Sequence, residues 1–190
     1  MNHNISIDGY CYRLRPVTIK DAPFIVDIRT EDAERCKYIN PVSKDISLQI
    51  KWLENYFNTP NDYYFIIENK NNNLQEGLIS IYNINDNKGE SGRWIIKKDS
   101  LAAVESYYLL CRIAFEILQL NEVFSNVVID NKPVVAFHKS IKQKVRRTIT
   151  KMYQINNIEY DAIEFFIDKK HFFNIVKPRL EQITKKVFGK

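Results

Sequence analysis

The sequence predicts an α+β fold: a mixed, mostly antiparallel sheet covered by helices, with one parallel pair of strands. Three observations predict it. Strand-like runs cluster early and return late as a pair, an order that favours antiparallel neighbours. Between these groups stands a strand–helix–strand unit, whose connection sets two strands parallel. Composition does not shift along the 190 residues, so one unit of ordinary domain size is expected, with a helical extension from about residue 169.

Residues 10–17 alternate as YCYRLRPV and read as a first strand that Pro16 limits near its end. Thr18 and Asp21 form a T-x-x-D capping box, and Phe24, Ile25 and Ile28 then recur at helical spacing through residue 29. A polar loop, residues 30–43, follows; with Arg29 at its entrance and Tyr38 and Asn40 within it, it suits a small polar substrate, or is simply solvated. Residues 45–57 make a second helix, with Ile46, Ile50, Leu53 and Phe57 expected inside and Trp52 and Tyr56 at the edge. Residues 63–68 and 77–84 are strands joined by an Asn-rich loop, and their aromatic residues read as core.

The centre of the chain is residues 89–120. A short strand, Trp94 to Ile96, runs through a polar turn at residues 97–100 into a long helix beginning near Leu101. Helix starts leave backbone N–H groups unpaired and carry partial positive charge, which suits phosphate. Ser100 or Asp99 caps the start, Glu105, Arg112 and Glu116 share a wet face, and Ala103, Tyr107, Leu110, Ala114 and Ile117 or Leu118 face the core. Residues 123–129 form the next strand, and DNKP at residues 130–133 opens a further helix through about Ser140. Residues 145–153 and 158–167 pair as a hairpin. From Asp168 a basic helix follows, with Phe172, Ile175, Leu180 and Ile183 inward and a kink at Pro178. That helix also offers a face on which a second copy could pack as a homodimer.

The net charge of +5 suits anionic partners without choosing among them. Cys11, Cys36 and Cys111 lack metal-ligand spacing, so free thiols and no metal are expected. The polar start at residues 1–4 precedes no long apolar run, so neither a secretion signal nor a membrane span is expected, and the expected place is the cytoplasm.

Three motifs resemble the GNAT family of acyl-CoA-dependent N-acyltransferases, over residues 12–167. Glu90-x-Gly92-x-Trp94 is similar to the E-x-G-x-W strand of the branch holding ribosomal-protein N-terminal and sugar-amine acetyltransferases. Lys98-x-x-Leu101-x-Ala103 stands where that family has its glycine-rich pyrophosphate turn, with Asp99 and Leu101 at the glycine positions. Asn131, Val134, His138, Lys142 and Gln143 match an N-x-x-A-x-x-x-Y-x-x-x-G-F helix, with His138 in place of the tyrosine general acid and Lys142–Gln143 in place of Gly-Phe.

The resemblance implies acetyl-CoA as co-substrate and direct attack by a primary amine. It implies Glu90 as base, also touching substrate, and His138 as acid, since an ordinary imidazole titrates near 6.5. Backbone N–H groups around Ile95 and Ile96 would hold the oxyanion. Lys97, Lys98, Ser100, Leu101, Ala102 and Ala103 would cradle the pyrophosphate, and Asn131 and His138 would contact the pantetheine arm. On their own, Glu90 reads equally as an ion-pair partner of Arg93, His138 as a helix-surface residue, and Asn131 as a cap. The expected acceptor is a small-molecule amine, an amino sugar or sugar nucleotide ahead of a protein N-terminus. A degenerate CoA-binding protein is the alternative that the missing glycines suggest. A nucleic-acid module, suggested by Lys139, Lys142, Lys144, Arg146, Arg147 and Lys151, is not expected.

Overall fold

The computed structural model describes residues 3–188. Met1 and Asn2, counted above with the polar start, lie outside the described residues. Eight strands form one sheet in the order β1-β2-β3-β4-β5-β6-β8-β7. They are β1 (Ile7–Asp8), β2 (Tyr12–Pro16), β3 (Tyr63–Asn69), β4 (Gln75–Asn85), β5 (Lys88–Ile96), β6 (Glu122–Val128), β7 (Lys144–Ile155) and β8 (Ile158–Asp168). Among the described residues only β5 and β6 pair in parallel; the other neighbours are antiparallel. The helices are α1 (Ala22–Thr30), α2 (Ile46–Tyr56), α3 (Ala102–Arg112), α4 (Lys132–Ser140), α5 (Lys169–His171) and α6 (Lys177–Phe188). The expected α+β sheet with one parallel pair is present.

Alternation along the strands builds two cores. Phe65, Ile67, Ile79 and Ile81 face α3 and α6, packing with Leu109, Leu110, Phe172 and Leu180. Their neighbours Tyr64, Ile66 and Leu78 face α1 and α2, with Ile25, Ile28, Leu53 and Tyr56. Successive side chains of a strand point to opposite faces, so one apolar strand serves both layers. The sheet therefore separates the layers wherever its ladder is intact.

Several elements depart from expectation. β5 is longer than the three residues foreseen, because Asp86 and Asn87 take φ of 49° and 57° and turn β4 directly into it. That two-residue geometry matches the twist of antiparallel strands, and Asn156 and Asn157 repeat it between β7 and β8. On α2 the buried positions are Gln49, Leu53 and Tyr56, leaving Ile46 and Trp52 each 40% exposed. Glu105 is fully buried rather than wet: its carboxylate accepts the backbone N–H groups of Tyr10, Cys11 and Tyr12 and closes the β1–β2 turn. Gly9 is needed there, since a Cβ would stand 2.1 Å from the carboxylate oxygen. Arg112 and Glu116 do share the outer face, 3.0 Å apart.

The C-terminal helix carries a π turn at Phe172–Val176, just before Pro178, and this absorbs the proline without a break. The extra residue in that turn rotates the inward face. Phe172, Val176, Leu180 and Thr184 are buried, while Ile175 is exposed and Ile183 half-buried. Tyr108 donates to Glu181 at 2.6 Å, Lys177 reaches Glu116 at 2.8 Å, and Phe188 packs edge-on to Tyr12. Part of the apolar face of this segment is thus used within the chain, while Phe173, Ile175 and Val187 remain exposed.

Candidate active site

The site exists because β5 and β6 part. Their ladder holds for Lys88↔Glu122, Gly89↔Val123 and Glu90↔Phe124 and then ends. β6 continues paired with β8 as far as Val128↔Ala162, while β5 stays with β4 as far as Ile96↔Gly77. A bulge lies between these stretches of β5, where Arg93 takes φ of 47° and the register against β4 shifts. A bulge bends its strand and sharpens its twist. At Gly77 a Cβ would meet the Ile95 carbonyl at 2.6 Å, so a bare Cα lets β4 hold the bent strand.

A cavity of ≈ 460 Å³ opens in the gap. Arg29, Trp52 and Tyr64 line it from the α1–α2 layer, and Tyr107, Val134 and His138 from the α3–α4 layer. The edge of β5 toward β6 has no ladder partner beyond Glu90, which leaves backbone N–H groups available to a ligand.

Glu90 stands in this cavity at the last rung. Its carboxylate accepts Asn83 Nδ2 at 3.0 Å and Asn126 Nδ2 at 3.2 Å. It does not pair with Arg93, whose guanidinium forks onto Asp62 at 2.6 and 2.8 Å and lies 4.4 Å from the Tyr82 ring centroid. Tyr64 and Trp52 flank the same guanidinium at 5.4 and 5.5 Å. Burial pushes the Tyr64 hydroxyl up to about 12, and burial beside the Glu90 charge does the same for Tyr153. Both phenols stay neutral donors.

His138 lines the cavity from α4 at 2% exposure, not on the helix surface. It stacks on Phe165 at 5.1 Å and meets Tyr107, Phe137 and Trp94 edge-on. Burial lowers its pKa to about 4, so the ring is neutral at neutral pH, and the expectation of an acid titrating near 6.5 is corrected. Its Nδ1 has no hydrogen-bond partner among the described residues.

The turn after β5 keeps the geometry that glycine would give. Asp99, exposed at its tip, adopts φ of 65°, a conformation Asp tolerates better than most residues. Leu101, at φ −90°, needs no glycine, and Lys142 after α4 takes φ of 64°. Lys97 and Lys98 are exposed beside the start of α3, with Lys97 Nζ 5.4 Å from the Phe24 ring centroid. Leu101 is exposed and Ala103 and Ile96 half-buried at the same mouth. Ser100 caps α3 by accepting Ala102 N–H at 3.1 Å, and it donates to Glu76 at 2.6 Å. Ser100 and Ala102 are therefore committed inside the protein: the hydroxyl is used, the Ala102 N–H is capped, and the Ala102 side chain is fully buried.

Arg29, Tyr38, Asn40, Glu90, Ile95, Asn131 and His138, all foreseen, line the one cavity. Arg29 donates to the Asn40 carbonyl at 2.8 Å, and Tyr38 meets Tyr160 edge-on at 5.6 Å, so the loop is tied to both α1 and the β7–β8 hairpin. Asn131 flanks α4 as its N-cap residue but makes no side-chain cap bond.

The sequence reading missed Asp62, Tyr82, Ser91, Ser125 and Tyr153. Ser91 and Ser125 lie 2.5 Å apart just past the last rung, and Tyr107 interacts with both. A serine inside each of two apolar strands was the signal. Lys144, Arg146, Arg147 and Lys151 of the basic strand pair with Asp168, Glu122, Glu164 and Glu159, which neutralises it. Among the described residues no His/Cys/Asp/Glu group could hold a metal, the three thiols are free, and no helix is long and apolar enough to cross a membrane.

The acetyltransferase (GNAT) domain family matches residues 12–143. No curated protein matches the sequence. Among solved structures, the apo form of FdhC, a nucleotide-linked sugar GNAT, superposes with a TM-score of 0.74 at 24% identity, over 98% of each chain. A variant of the spermidine N-acetyltransferase SpeG from Vibrio cholerae gives 0.75 at 15% identity, over 87% of this chain and 98% of its own. A GCN5-related N-acetyltransferase from Brucella melitensis gives 0.81 at 14% identity, over 95% of this chain and 85% of its own. At these identities the superpositions speak for the fold.

Proposed function

The chain belongs to the GNAT acetyltransferases, enzymes that use acetyl-CoA as co-substrate, and from that premise we propose an N-acetyltransferase acting on a primary amine of a small molecule. An amino sugar or sugar nucleotide is preferred to a protein N-terminus, because the polar side chains of Arg29, Tyr38 and Asn40 line the acceptor side of the cavity. One observation carries the reading. The parted strands make a single passage through the sheet, so an amine from the α1–α2 side and a thioester from the α3–α4 side can meet at Glu90.

The chain's own groups suit the chemistry. Glu90, oriented by Asn83 and Asn126, takes a proton from the incoming ammonium, directly or through water. The amine attacks the thioester carbonyl, the C–N bond forms, and the C–S bond breaks. Unpaired N–H groups of β5 near Ile95 and Ile96 receive the oxyanion. His138, neutral, donates a hydrogen bond to the leaving sulfur, and the second proton lost by the amine nitrogen ends there. Lys97, Lys98 and the backbone at Leu101 and Ala103 would hold the pyrophosphate; Asn131 would meet the pantetheine arm.

The test is thiol release from acetyl-CoA with a panel of amines, alongside calorimetric titration of acetyl-CoA. Saturable binding with amine-dependent release is expected. Binding without release for any amine would favour the non-catalytic alternative, and His138→Ala should lower turnover more than acetyl-CoA affinity.

A further inference from the structure

Resting on that acetyl-transfer reading, we propose that the acceptor carries an anionic group, a carboxylate or a phosphate, and that Arg29 binds it.

The cavity wall contains three charged side chains, Arg29, Glu90 and Arg93. Arg93 is already satisfied by its fork onto Asp62 and by the rings around it. Glu90 is claimed by the reacting ammonium. Arg29 is half-buried at the C-terminal end of α1, and among the described residues it has no carboxylate within ion-pair distance. Its one hydrogen bond, to the Asn40 carbonyl, uses a single N–H of the five a guanidinium presents. That bond is solvent-exposed and occupies only one edge of the guanidinium. As a receptor for a second anion, it is held by that bond with its remaining donors toward the ligand.

The cavity's charges sit on different elements: Glu90 on β5 and Arg29 at the end of α1, while Arg93 is already matched by Asp62. A ligand with an ammonium at Glu90 and an anion at Arg29 complements both. A polyamine would instead place a second ammonium against Arg29, with no carboxylate there to screen it.

The coenzyme's own phosphates are the other source of negative charge. The turn at Lys97 and Lys98 lies by Phe24, near the start of α1, while Arg29 closes the opposite end of that helix. That separation favours the acceptor.

The experiment compares amines with and without an anion: phosphorylated glucosamine against glucosamine and lysine against cadaverine, which differ in the anion alone, with UDP-glucosamine as a larger phosphate-bearing amine and spermidine as the cationic arm. Rates are measured by thiol release, and binding to the CoA-loaded protein by calorimetry. At least one anionic amine should exceed its partner lacking the anion in kcat/KM by about tenfold or more. Arg29→Gln should bring that ratio toward one, and Arg29→Lys should keep part of it, with acetyl-CoA affinity unaltered in both. The phosphate and carboxylate pairs tell the two anions apart.

Equal rates within every pair, spermidine as the best acceptor, or weakened acetyl-CoA binding in Arg29→Gln would overturn the assignment. Saturable, Arg29-dependent binding of an anionic amine without turnover would uphold it while removing the transfer reading. Turnover without any anion preference would do the reverse, and neither turnover nor binding across the panel would remove both.

Discussion

β5 and β6 are one pair of parallel strands that does two different things. Over Lys88–Glu90 and Glu122–Phe124 they pair, and Gly89 and Val123 pack against the core as in any interior sheet. Past Glu90 and Phe124 they separate, and the residues that would have faced each other, Ser91 and Ser125, are polar and bonded side chain to side chain. The lower stretch insulates the two helical layers; the upper one connects them. The difference coincides with a left-handed residue at Arg93, held by a half-buried ion pair to Asp62.

The largest effect should come at the hinge of the two stretches. Glu90→Gln should lower kcat by about a hundredfold or more with little change in acetyl-CoA KM. An unchanged rate would move the base elsewhere in the cavity.

Asp62→Ala tests what keeps the strands apart. It strands a guanidinium among Trp52, Tyr64 and Tyr82, and the loss of stability in urea should be about 3 kcal/mol. Asp62→Ala with Arg93→Met should recover much of that loss. A cost no greater than that of a surface substitution would show the pair to be dispensable.

His138 gives the comparison a pH signature. Its folded pKa of about 4 lies below the unfolded 6.5, so the unfolded chain binds more protons between those values and stability falls as pH falls through that window. The drop attributable to His138 is about 3 kcal/mol, levelling off below pH 4. His138→Phe should lose less stability over that range than the parent protein, and parallel pH curves would mean that the ring protonates freely in the fold.

The smallest effect belongs to the mouth of the upper stretch. Lys98→Glu, at an exposed position, should weaken acetyl-CoA binding by about three- to tenfold at low salt and less at high salt. A salt-independent or null result would place the pyrophosphate away from this turn.

Much of this was legible in the sequence. The Thr18–Asp21 box is formed, with Asp21 accepting Thr18 N–H at 2.7 Å, and α1 begins where it predicts. Alternating strands, the Asn-Asn hairpin and the single parallel pair follow from local pattern and turn chemistry. The left-handed positions were not legible, because among the described residues no glycine takes positive φ, and Asn, Asp, Arg, Gln and Lys do so instead. The glycines are spent on close approach: Gly9 under Glu105, Gly77 under the β5 backbone and Gly92 against the Tyr82 ring. A missing glycine therefore said little about a missing turn.

The sequence alone determined the order of elements, the family, and a minority of the side chains that line the cavity, Arg29, Glu90 and His138 among them, since these depend on spacing and residue type. Tertiary structure decided their states. Glu105 became a buried clamp because three N–H groups converge on it, and His138 became a neutral ring because aromatic side chains exclude water from it. Arg29 and Arg93 look alike in the sequence. Only the placement of Asp62 beside one of them, brought from a distant stretch of chain, makes Arg93 a structural cation and leaves Arg29 in the cavity wall without an ion-pair partner among the described residues.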